Sequence, residues 1–315
     1  MKLLSYSCGR GLLLINNIKH KALPLQIQPR KSKLKCHPLT VQFKTFSTKN
    51  NEPSSRSFQS SLIDLDGVKI HYTQTGNGNH NVLLLPGALG SATTDFLPQL
   101  EGLDVNKYNI ISFDPQGYGK SRPPERDWPL LFLQRDAAHA ADLMKVLDIP
   151  QYSVLGWSDG GITGLILASI CLDNVQNLII WGSNAYVTEK DIQMYRDIED
   201  VDKWSKRMKE PFIKVYGEAN FRVLWKSWVQ AVTRYLTERK GDICIDSLPN
   251  IKCPTLIING HKDPLVPQEH PAYLHKHIAG STVVDWPQGK HNLHLRYANE
   301  FNELVEKFLD YRKTE

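Results

Sequence analysis

Cysteine is scarce and scattered: Cys8, Cys36, Cys171, Cys244 and Cys253 make an odd set of five, and no two stand as Cys-x-x-Cys. That excludes the disulfide framework of a small secreted domain and a zinc-thiolate site, and leaves buried free thiols in a reducing compartment. Acid is missing altogether from residues 1–50, which hold ten Lys or Arg and no Asp or Glu. Subtracting those ten from the 38 basic residues leaves 28 against 33 acidic ones, so the rest of the chain carries −5 although the whole is +5. The basic balance therefore belongs to one end and gives no reason to expect a nucleic-acid partner for the remainder.

The acid-free segment also lacks a long apolar run. Its cluster Leu12 to Ile15 is too short to span a bilayer, no small-residue secretory cleavage pattern follows, and no stable membrane insertion is expected. Rich in Lys, Arg, Ser and Leu, residues 1–50 read as a mitochondrial transit peptide cleaved near Phe46 or Ser47, the alternative being a disordered basic arm. A mitochondrial location is the resulting expectation. Residues 51–60 read as a polar linker.

Beyond the linker, Ser61 to Leu65 and Val68 to Thr75 alternate apolar and polar around Asp66-Gly67, which predicts a hairpin. Continuous apolar runs at 81–86, 109–114, 153–157, 177–182, 254–259 and 281–286 then alternate with helical stretches near 93–101, 130–147, 268–277 and 293–312. This order predicts an α/β fold: a mostly parallel central sheet with helices on both faces and ligands at the carboxyl ends of the strands. The 67 residues from Asn184 to Asn250 are too many for a crossover, and Leu224, Trp228, Ala231 and Tyr235 fall at helical spacing within them. They predict a helical cap, residues 184–250, inserted after the sixth strand into a core made of 61–183 and 251–315. Most of its aromatic stripe is expected to pack the cap, leaving a few residues to line a pocket.

Chemistry enters at Ser153 to Gly161, SVLGWSDGG. Here an apolar strand meets Gly156-Trp157-Ser158-Asp159-Gly160 and a buried helix follows, the setting of a Gly-x-Ser-x-Gly nucleophile elbow. A serine hydroxyl is a weak nucleophile until a base takes its proton, and the base needs an acid to hold its tautomer. An elbow of this type finds them further along the chain, acid before histidine. The strand at 177–182 ends without an acid, whereas the strand at 254–259 runs into a loop carrying Asp263. His291 lies in the loop before the final helix and is favoured as the base over His294, one turn inside that helix. The two N–H groups of an oxyanion hole are expected from Asp159 and, in the loop Pro86 to Ser91, from Leu89.

Two further patterns lead away from function. His261, His270, His275 and His277 match no usual metal-ligand spacing, so no metal and no cofactor are expected. The stretch Asp114 to Ser121 lacks the Walker arrangement of a phosphate loop and reads as a structural turn. Asp159 stays open on the residues alone. A carboxylate about 5 Å from a developing oxyanion repels it by about 3 kcal/mol at an effective dielectric near 20. Either a substrate cation neutralises it or the carboxylate turns away and simply favours a helix start.

The stretches LLLPGALGS, DPQGYGKSRPP, VLGWSDGGIT, WGSNAYVT, KDPLVP and GKHNLHLRYANEFN resemble, in order, the α/β-hydrolase superfamily over about residues 60–315. Within it the resemblance is to the valacyclovir hydrolase (biphenyl hydrolase-like) family. It implies Ser158, Asp263 and His291 as the catalytic triad, Leu89 and Asp159 as oxyanion donors, and the Asp159 side chain as the seat of a substrate ammonium. The implied activity is serine esterase action on α-amino acid esters, amino-acyl ester prodrugs included, by a monomer whose partner is a small molecule with a free α-amino group. Gln116 departs from the Arg that relatives carry, which puts a local salt bridge in doubt, and Ala88 stands where a larger residue is expected. The rival activity is C–C bond hydrolysis of ring-cleavage diketones, whose anionic substrates Asp159 would repel. A non-catalytic binding module on this fold would be expected to have lost a triad member.

Overall fold

A computed structural model describes residues 56–311. The expected transit segment, the first half of the linker and its cleavage site lie outside them. Strands β1 (Gln59–Leu65) and β2 (Val68–Thr75) form the expected antiparallel hairpin, with Asp66 and Gly67 at φ 52° and 86°. β1 starts two residues inside the stretch read as linker, because Gln59 and Ser60 pair with Gln74 and Thr73 along an edge where polar side chains face solvent. β3 (His80–Leu85), β4 (Tyr108–Phe113), β5 (Tyr152–Trp157), β6 (Val175–Trp181), β7 (Thr255–Gly260) and β8 (Thr282–Trp286) complete one sheet in the order β1-β2-β4-β3-β5-β6-β7-β8. All neighbours from β4 to β8 are parallel.

The strands lie between two apolar layers, which is why they read as unbroken hydrophobic runs. Leu83, Leu85, Val154, Leu178 and Ile180 face one core; Val82, Leu84, Leu155, Ile179 and Trp181 face the other. That is a period of two with both phases apolar. The first core is closed by α2 (Phe132–Val146), α3 (Asp159–Ile170) and α7 (Glu269–His277), the second by α1 (Ala92–Gly102) and the C-terminal helices. Ten of the twelve residues of α3 are buried, so this helix is apolar on every side. The sequence suggests one helix over 293–312; two form, α8 (Leu293–Arg296) and α9 (Ala298–Tyr311), parted where Tyr297 leaves helical geometry at φ −121°, ψ 49°.

Between β6 and β7 the chain forms the cap: α4 (Glu189–Asp197), a 3₁₀ turn (Val201–Lys203), α5 (Lys206–Tyr216), α6 (Glu218–Arg239) and a second 3₁₀ segment (Ile245–Asn250). Leu224, Trp228, Ala231 and Tyr235 of α6 are all buried, as their spacing predicts. Among the described residues no helix is long and apolar enough to cross a membrane.

Candidate active site

Ser158 stands between β5 and α3 at φ 56°, ψ −123°, a backbone conformation that costs a non-glycine residue about 1–3 kcal/mol. Neighbours hold it there: its N–H donates to Trp181 O at 3.0 Å, and Ser183 Oγ donates to its carbonyl at 3.0 Å. The turn closes only on glycine. A Cβ at Gly156 would fall 2.5 Å from Gly160 O, and one at Gly160 would fall 1.9 Å from Leu85 O. The sharpness of this turn lifts the hydroxyl from the sheet and aims the N-terminus of α3 at it.

The loops after β7 and β8 bring the two partners. His291 Nε2 is 3.2 Å from Ser158 Oγ, and its Nδ1 is 2.9 Å from Asp263 Oδ2. The other Asp263 oxygen accepts from the N–H groups of Leu265 and Val266, at 2.8 and 3.1 Å. A carboxylate that only accepts puts the imidazole proton on Nδ1, leaving the Nε2 lone pair to face the serine. Gly182, at φ 59°, clears space for the ring, since a Cβ there would lie 2.9 Å from His291 Cε1. Trp157 Nε1 donates to the His291 carbonyl at 2.8 Å and fixes the loop from below.

His294, the rival histidine, is a core residue. Its Nε2 donates to Asp95 O at 2.9 Å and its Nδ1 accepts from Trp181 Nε1 at 3.0 Å. Burial holds its pKa down at about 3, so the ring stays neutral.

The loop from Pro86 to Ser91 lies against the nucleophile: a Cβ on Gly87 would be 3.3 Å from Ser158 Cβ. Gly90 N donates to Gly87 O at 3.0 Å and places Leu89 at φ 58° in the third position of a turn. Asp95 anchors the loop by accepting from Gly87 N at 2.8 Å, and burial raises its pKa to about 7. The cap holds it from above, where Tyr216 donates to Leu89 O at 2.7 Å and accepts from Gly119 N at 3.0 Å. Among the described residues, no protein acceptor takes the N–H of Leu89 or of Asp159, so both remain free for a ligand oxygen.

Asp159 does not point into open solvent. It is buried, and Trp228 Nε1 from α6 donates to its Oδ2 at 2.8 Å. Burial pushes its pKa up to about 6, against the lowering pull of the Trp228 hydrogen bond and of Arg126. A water-sized cavity adjoins it, lined also by Tyr118, Asp136, Gly160 and Thr163. The hydroxyl of Tyr118 is buried there without a protein partner. Asp136 is occupied: Arg126 grips it with two hydrogen bonds at 2.8 and 2.6 Å. Arg126 also donates to the Gln116 carbonyl at 2.9 Å, so the turn at Gln116 is tied through its backbone to a buried ion pair.

All five residues singled out from the sequence thus lie around one point. Tyr216, Trp228 and Gly182 were not foreseen. Trp228 belongs to the aromatic stripe whose spacing was legible, but nothing in a linear sequence says which member of a stripe meets a residue 69 positions away. The four histidines considered as ligands disperse: His261 meets Asp285, His275 meets Ser281, His277 meets its own helix, and His270 meets Asp191. Asp191, Glu269 and His270 do bring ligand-type atoms within 4.8 Å of one another. Asp191 is already engaged by His270 and by the N–H and hydroxyl of Thr188, a tie between cap and core.

A family model described as the alpha/beta hydrolase family matches residues 82–304. The chain is 46% identical over 287 residues to the mouse (Mus musculus) protein named serine hydrolase BPHL, covering 91% of this chain and 96% of the relative. It is 49% identical over 253 residues to the human (Homo sapiens) protein of the same name, covering 80% and 87%. Among solved structures it is similar in fold to a serine hydrolase involved in carbazole degradation, the CarC enzyme, with a TM-score of 0.66, 22% identity and coverage of 81% and 100%.

Proposed function

The chain belongs to the α/β-hydrolase family and is a serine hydrolase; on that premise we propose that it cleaves α-amino acid esters through Ser158, His291 and Asp263. His291 Nε2 takes the Ser158 proton as Oγ bonds to the ester carbon. The resulting oxyanion is held by the N–H groups of Leu89 and Asp159, and Asp263 steadies the imidazolium. His291 then protonates the departing alcohol as the C–O bond breaks. Water, deprotonated by the same histidine, attacks the acyl-enzyme and releases the amino acid.

The observation that carries the substrate class is the buried Asp159 carboxylate directly after the nucleophile. A free α-amino group two bonds from the attacked carbonyl brings the cation that such a carboxylate lacks among its own hydrogen-bond partners. An anionic diketone would be repelled at the same place, which disfavours C–C bond hydrolysis.

The deciding comparison sets a valine ester against its N-acetyl counterpart. We expect kcat/KM for the free amine to be higher by at least tenfold, since a hydrogen bond to a charged group contributes about 1.5–3 kcal/mol; equal values would sink the ammonium assignment. Ser158→Ala retaining full activity would sink the mechanism as a whole.

A further inference from the structure

A second Ser-His-Asp relay lies at the β1 edge of the sheet. Ser60 Oγ, on the edge strand β1, is 2.7 Å from His71 Nε2, and His71 Nδ1 is 3.0 Å from Asp114 Oδ2. The corresponding separations around Ser158 are 3.2 and 2.9 Å. Three strands lie between β1 and β5, four inter-strand spacings or roughly 19 Å along the sheet, and the two relays share no group.

The order of the hydrogen bonds gives this second relay a direction. Asp114 accepts on both oxygens, from Ala92 N–H on Oδ1 and Lys120 N–H on Oδ2, at 2.9 and 2.8 Å. It therefore takes a proton-bearing Nδ1 from His71, and the bare Nε2 faces the Ser60 hydroxyl. Both support residues are buried, His71 at 4% exposure and Asp114 at 2%, while Ser60 is exposed. The His71 backbone is pinned as well: its N–H donates to Ser121 Oγ at 2.8 Å, and that hydroxyl donates to Asp114 O at 2.6 Å. Lys120 Nζ, 3.4 Å from Ser60 Oγ, brings a positive charge to the side where an alkoxide would develop. The turn from Asp114 to Ser121 is thus structural, and it also carries the acid of this relay.

We propose that Ser60 is a second activated serine, a surface acyl acceptor that reacts with activated esters independently of Ser158. In the step, Ser60 Oγ bonds to the acyl carbon and passes its proton to His71 Nε2. The aryl–oxygen bond to the acyl carbon breaks, and the leaving phenol takes that proton. Among the described residues the hydrogen-bond partners of Ser60 Oγ are His71 Nε2 and Lys120 Nζ, and no backbone N–H is one of them. With a single lysine ammonium in place of two backbone donors, acylation should be at least about 10²-fold slower than at Ser158 and should stop at a stable ester.

The experiment uses the Ser158→Ala protein, in which the faster site is gone, treated with p-nitrophenyl acetate and followed by intact mass and peptide mapping. One acetyl group is expected on Ser60, absent from Ser158→Ala/Ser60→Ala and slowed at least tenfold in Ser158→Ala/His71→Gln, with exposed Ser57 as the internal control. Ser60→Ala alone should hydrolyse amino-acyl esters at the unchanged rate. If Ser158→Ala takes up no acetyl group, or if the label falls on Lys120 or equally on Ser57, the proposal is overturned. An unslowed His71→Gln variant that keeps the native circular dichroism would overturn it too.

Discussion

The proposed mechanism places two demands on Asp159: its N–H is to serve the oxyanion and its carboxylate the substrate. With a pKa of about 6 it is ionised above that pH and neutral below it. Since kcat/KM reports the free enzyme, activity toward a free-amine ester should fall as pH drops through about 6, more steeply than toward the N-acetyl ester, which brings no cation for Asp159 to meet. Asp159→Asn should abolish that difference and lower kcat/KM for the free amine by about 10–100-fold. Trp228→Phe removes the hydrogen bond that lowers the Asp159 pKa, so the acid limb of the free-amine profile should move to higher pH. Paired pH–rate profiles on the two esters check all three expectations. At this scale the triad was legible because chain order and loop position are written in the sequence, and so was Asp159 as a suspect. The direction of its side chain was not, because that depends on Trp228 arriving from the cap.

The elements that matter most are the ones that hold loops still. Tyr216 ends α5 and bridges Leu89 O to Gly119 N, joining cap, oxyanion loop and the turn after β4. Tyr216→Phe leaves both backbone groups without their partner, so a loss of about 1–3 kcal/mol of stability is expected, visible in the melting temperature, with a fall in kcat as Leu89 drifts. Gly182, just after β6, does the same for the histidine. Gly182→Ala should lower kcat by roughly 10²-fold while KM changes little, because a displaced ring costs the proton transfer rather than binding. The helical cap was readable from an insertion too long for a crossover. The break between α8 and α9 was not, since Tyr297 interrupts a stretch whose apolar spacing continues across it.

For the molecule as a whole, two buried carboxyl groups set a pH dependence of stability. Asp95 and Asp159 have pKa values raised to about 7 and about 6, mainly by burial, so between pH 4 and 7 the native state binds more protons than the unfolded chain. Their contribution is therefore full at the acid end and is lost as pH rises through that window. Thermal melts across it should show Asp95→Asn less sensitive to rising pH than the wild-type protein. We also propose that residues 1–50 direct the protein to mitochondria; a fluorescent fusion of residues 1–55 that stays in the cytosol would rule this out.

Composition and periodicity by themselves determined the buried strands, the two-sided core, the elbow at Ser158 and the order in which its partners follow, because each depends on local spacing or on chain order. What the tertiary structure alone decided is which distant groups meet: Trp228 on Asp159, Tyr216 on Leu89, and Ser60 with His71 and Asp114. Those meetings are set by strand order in the sheet and by how the cap seats on it, and a one-dimensional pattern carries neither.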